Sequence, residues 1–202
     1  MRAADHAHVR LQADQRVSGR AFSDPAHTER DAATLGQLRR ALSRAAAGPR
    51  PPALRFADDI GRHQVAVPDW DALERSRPVA MVGFFGQARD DVDHAAIIDL
   101  EGDIVARAAS FSGLLAYHNA QLASGQWGNL VVFGASADTA AITRDPVHHQ
   151  AVARTPGHYA SLRLHRGVLA DGCLGAAPVC IGETLYLDFA ETPAWRALRS
   201  YV

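Results

Sequence analysis

The segment His158-Tyr159-Ala160-Ser161-Leu162-Arg163-Leu164-His165 carries the densest chemistry in the chain. Polar and apolar residues alternate there with the period of two that marks a half-buried strand. On such a strand Tyr159, Ser161, Arg163 and His165 share one face, and Ala160, Leu162 and Leu164 share the other. A guanidinium can grip a carboxylate or an enolate through two parallel hydrogen bonds. An imidazole beside it can serve as acid, base or ligand, and a phenol can orient or protonate. A later segment repeats the pattern, with Thr184, Tyr186 and Asp188 alternating with Leu185 and Leu187. Two such rows side by side predict a pocket on a sheet face. The competing reading is a polar sheet surface in which Arg163 and His165 pair with Asp188 or Glu183.

A second candidate is Arg144-Asp145-Pro146-Val147-His148-His149-Gln150-Ala151. Asp145 followed by Pro146 reads as a helix start. Neighbouring residues on a helix lie about 100° apart, so at most one of His148 and His149 faces a pocket. His148 shares a face with Val152, four residues on, and is the inward candidate. Trp127 heads a strand and reads as an anchor or a pocket wall. His118 reads as a packing histidine, and Asp90, Asp91, Asp93 and His94 as a solvated turn. The chain has no nucleophile elbow, phosphate loop, dinucleotide fingerprint or HExxH motif. Hydrolases, kinases and nicotinamide enzymes that depend on those motifs are therefore disfavoured.

The 202 residues suit one domain with an appendage, and 48% hydrophobic with 21% charged residues is a globular composition. A net charge of -1 provides no strong field for nucleic acid or an anionic membrane. All 21 basic residues are arginine, which excludes Schiff-base catalysis and lysine attachment of pyridoxal phosphate. Cys173 and Cys180 are too few for a zinc knuckle or a disulfide scaffold, and read as buried or free thiols. No window is long and apolar enough for a membrane span, and the first residues lack a signal-peptide core. Cytoplasm is the expected compartment.

The elements that would position these residues follow from periodicity. Residues 1–27 are polar and read as loosely attached. A helix is predicted over 28–47, capped by Thr28 and striped by Leu35, Leu38 and Leu42, and Gly48-Pro49-Arg50-Pro51-Pro52 stops it. Residues 1–52 thus form an N-terminal segment, and 53–202 one ligand-binding domain. In that domain the expected order is a strand at 79–85, a hairpin at 94–108, a helix through Leu114 to Leu122 and a strand at 127–133. Helices at Ser136 and Asp145, strands at 158–165 and 181–189, and a short helix near 193–199 complete it.

This order reads as a decorated ferredoxin-like βαββαβ antiparallel sheet, an α+β fold with helices on one face. Over roughly residues 78–190 it resembles the dimeric α/β-barrel superfamily, which includes antibiotic-biosynthesis-type monooxygenases and small haem-binding enzymes. The resemblance implies a homodimer whose second subunit covers the open sheet face. It also implies haem as cofactor, with His148 as iron ligand and Arg163, Ser161 and Trp127 around it. The chemistry implied is oxidoreductase or lyase chemistry on a small organic substrate. Two alternatives stand beside this. One is a cofactor-free monooxygenase, isomerase or cyclase using His165, Tyr159 and Arg163. The other is a non-catalytic binding or assembly module.

Overall fold

The computed structural model describes residues 9–123, 125–134 and 144–201. Nine strands form one sheet: β1 (Val9–Leu11), β2 (Ala53–Ala57), β3 (Gly61–Ala66), β4 (Val79–Ala88), β5 (Leu114–Leu122), β6 (Trp127–Gly134), β7 (Tyr159–Leu169), β8 (Cys180–Asp188) and β9 (Trp195–Ser200). Their spatial order is β1-β9-β8-β7-β4-β6-β5-β3-β2. Every neighbouring pair is antiparallel except β1 with β9. Among the described residues the α-helices are α1 (Ala26–Ala46), α2 (Trp70–Arg75), α3 (Ala95–Ala106) and α4 (Pro146–His158).

Helix α1 lies on one face of this sheet. It buries Leu35, Leu38 and Leu42 completely, against Val65, Met81, Phe85, Leu130 and Val132. Full burial of a leucine stabilises by roughly 1.5–3 kcal/mol, so this stripe holds the helix firmly on the sheet. Leu35 sits over Gly83, where a Cβ would collide with its methyl groups. Helices α3 and α4 lie on the opposite face, where Ile104, Val105 and Phe111 pack with Leu114, Phe133 and Val147.

This architecture corrects the expected fold. A small ferredoxin-like sheet with helices on one face, completed as a dimeric α/β barrel, does not describe a nine-stranded mixed sheet with helices on both faces. The face expected to need a second subunit is covered by the chain's own α1.

Several elements also change type. The segment expected as a hairpin at 94–108 is α3, because Ile97, Leu100, Ile104 and Val105 recur at helical spacing and are all buried. The expected helix at 114–122 is β5, where Ala116, His118 and Ala120 alternate with Tyr117 and Asn119. The expected helix near 193–199 is β9. Residues 53–75, given no elements in advance, form β2, β3 and α2. Helix α1 begins after Pro25, and the Thr28 hydroxyl lies 2.6 Å from that of Tyr201 instead of capping the helix. The helix expected at Ser136 lies outside the described residues, whereas Asp145 does cap α4, accepting from the Val147 and His148 amides.

Residues 13–23 are tied to the sheet by Arg199, which is fully buried and has no carboxylate partner among the described residues. Its guanidinium donates to the carbonyls of Ala13, Gln15 and Ser23 at 2.7–2.9 Å. Carbonyl acceptors take the place of water around the buried charge.

Candidate functional site

The predicted polar row divides between the two faces. Along β7 and β4, Ser161 is opposite Gln87, but Tyr159 is opposite Ala88, so Ala160 is an extra residue. This bulge reverses the alternation, as one inserted residue must. Ser161, Arg163 and His165 therefore face α1, and Tyr159 faces the α3 and α4 side with its ring over Gly86. A Cβ at Gly86 would collide with that ring, so the glycine is what admits it.

On the α1 face, Asp31 completes the set. Its carboxylate accepts from Arg163 Nε and, at 3.0 Å, from Arg163 Nη2. It also accepts from His165 Nε2 at 2.8 Å, while His165 Nδ1 lies 2.8 Å from the Thr184 hydroxyl. Neither expected partner is used: Asp188 pairs with Arg20 and Glu183 with Arg166. Burial pushes the Asp31 carboxyl up, but hydrogen bonds from His165 and Arg163 outweigh it and hold the group below its ordinary value. All four residues are buried. The arginine's two-pronged grip is thus spent on a carboxylate of the same chain, and Ser161 is turned to Gln87.

The opposite face carries a different cluster. Asn119 on β5 and Asn129 on β6 are cross-strand neighbours, and Phe84 on β4 is next in the row. Glu101, on α3, accepts a hydrogen bond from Asn119 Nδ2. Burial pushes its carboxyl up to about 7, only partly offset by that hydrogen bond. Tyr117 is raised by burial and by the Glu101 charge, against a hydrogen bond from Asn129. Tyr159 is raised by the same two causes. Asn129 Oδ1 is buried with no hydrogen-bond partner among the described residues. Glu101 and Tyr117 are half-buried, and Asn119 and Asn129 are buried.

Trp127 also faces this side, opposite Gly86, and is half-buried. His148 on α4 is half-buried, and its Nδ1 has no partner among the described residues, while His149 is exposed. Burial lowers the pKa of His148. His148 and Arg163 lie on opposite sides of the sheet, so one haem cannot take its iron ligand from the first and a propionate contact from the second. The residues expected to hold haem do not assemble into one site. With the barrel fold corrected, the monooxygenase, oxidoreductase and lyase readings attached to it lose their structural footing.

A third polar group runs through β3 and β5. His63 Nε2 donates to Asp58 at 2.8 Å, and His63 Nδ1 lies 2.9 Å from His118 Nε2. Phe56 stacks on the His63 ring at 4.5 Å between centroids. Burial, with His63 beside it, drives the His118 pKa down to about 3.

Two surface cavities, of about 360 and 670 Å³, are lined by residues 16–24 and by α1 with residues 174–179, and no member of the three clusters lines either. Among the described residues, no group of three or more His, Cys, Asp or Glu side chains is placed to hold a metal ion. No described helix is long and apolar enough to cross a membrane.

Sequence reasoning missed Asp31 and Glu101, yet each left a signal. Asp31 is four residues before Leu35 on the buried stripe of α1, and Glu101 lies between Ile97 and Val105 on that of α3. A carboxylate on an apolar helix stripe must meet a partner or shift its pKa. Comparisons with known protein families, with curated proteins and with solved structures find no match to this chain.

Proposed function

We propose that this protein is an enzyme that exchanges a proton with a small organic molecule, with Glu101 as the exchanging group. The observation that supports this is the setting of Glu101. Among the described residues its carboxyl has one amide donor and no cation among the groups that shift it, and burial pushes its pKa up to about 7. Such a group can both take and return a proton at ordinary pH. Tyr159 and Tyr117, both neutral at that pH, can donate to an oxygen or line the site. Asn129 supplies an unused acceptor. The Arg163 and His165 side of the sheet offers no comparable seat, because Asp31 fills it.

A panel of small aromatic compounds, screened by thermal shift against native protein and Glu101→Gln, tests this reading. The expected hits are lost in the variant, and their binding takes up or releases up to about half a proton near pH 7, where the group is half-ionised. Hits that bind equally well to both proteins, or no hits at all, would remove the proposal.

A further inference from the structure

Resting on that reading of Glu101, we infer that the molecule held at this cluster carries an organic ammonium group. Charge is the first reason. Among the described residues, the groups acting on Glu101, Tyr117 and Tyr159 are amides, phenols and Glu101 itself, with no cation. An anionic ligand would meet a carboxylate with nothing to balance the pair. Hydrogen-bond inventory is the second. Among the described residues the cluster has spare acceptors: Asn129, only 6% exposed, has an unpartnered Oδ1, and Glu101 accepts from one amide. A carboxylate has about four lone-pair sites, so one amide donor among the described residues leaves it capacity to accept more. Ring surface is the third. Phe84 and Tyr159 meet edge to face at 5.4 Å, and Tyr117 lies near the same carboxylate. An ammonium brings three donors and a positive charge, which a carboxylate, an amide oxygen and aromatic rings together satisfy.

The proton step follows from the same contacts. One ammonium N–H donates to the Glu101 carboxylate, and the proton crosses to oxygen. Neutral amine and neutral carboxylic acid remain, with nothing oxidised or reduced. The low-dielectric surroundings that raise the carboxyl favour this uncharged pair. The freed amine nitrogen then has a lone pair to use as a nucleophile.

Three ligands of similar shape separate the possibilities: benzylamine, benzyl alcohol and benzoate, titrated calorimetrically at pH 8. Benzylamine is expected to bind native protein roughly tenfold or more above benzyl alcohol, with benzoate weakest. In Glu101→Gln, benzylamine should fall to the level of the alcohol. Equal binding of amine and alcohol, preference for benzoate, or no binding of any of the three overturns the ammonium assignment. The carboxyl ¹³C signals of the ligand-free protein tell that failure from a deeper one. A glutamate titrating near 7 leaves the proton-exchange reading in place, whereas only ordinary carboxyl titrations remove both.

Discussion

Asp31 Oδ2 lies 2.8 Å from Nε2 of His165, joining α1 to β7 across 134 positions of sequence. The same carboxylate grips Arg163, so one acidic side chain neutralises the arginine and orients both residues, which otherwise look like a ligand site. A buried charge cluster of this kind specifies where the helix sits, because removing one member strands the others in a low dielectric.

Asp31→Ala is therefore expected to destabilise the protein by about 3–5 kcal/mol in urea unfolding, through the uncompensated Arg163 charge. Replacing all three residues, as Asp31→Leu with Arg163→Met and His165→Leu, should recover most of that loss. The Asp31 carboxyl is held below its ordinary value of 3.8, so its contribution is complete above pH 3.8 and is lost as pH falls through the lower folded value. A single variant as stable as the native protein would show that the ion cluster does not anchor α1.

Two buried groups act on stability in opposite directions near neutrality. His118 has a folded pKa of about 3 against 6.5, so the unfolded chain binds the extra proton and stability rises with pH from 3 to 6.5. Glu101 has a folded pKa of about 7 against 4.5, so the folded chain holds the extra proton and stability falls from pH 4.5 to 7. Each slope approaches about 1.4 kcal/mol per pH unit, and the two offset each other where the windows overlap. In urea titrations at pH 5 and pH 6, Glu101→Gln should expose the rising slope and His118→Asn the falling one. Identical profiles for both variants would mean that neither group carries its shift in solution.

The two thiols should differ in reactivity. Cys173 is buried and its thiol is pushed up to about 12 by burial, whereas Cys180 is exposed and unpaired. Iodoacetamide at pH 8 is expected to label Cys180 within minutes and Cys173 only after denaturation, since the thiolate is the nucleophile. Peptide mapping by mass spectrometry reads the outcome. Rapid native labelling of Cys173 would contradict the packing of the 171–179 loop beneath Arg39, which donates to the Cys173 carbonyl at 2.8 Å.

Local rules determined much of this protein from sequence alone. The α1 leucine stripe, the strands at β4, β6, β7 and β8, and the Asp145-Pro146 start of α4 follow from short-range periodicity and capping. Where local signals conflict, the sequence misleads: Glu101-Gly102-Asp103 resembles a turn but lies inside α3, because the burial of Ile97, Leu100 and Ile104 outweighs one glycine. Only the tertiary structure decided which residues meet. A single bulge at Ala160 sends Tyr159 to the opposite face from Arg163, and one helix placed across the sheet converts an open polar row into a closed ion cluster. Alternation is a property of neighbours along the chain and can be read from the sequence. The partner of a charge 132 positions away is set by how α1 packs, and becomes visible only when the core is assembled.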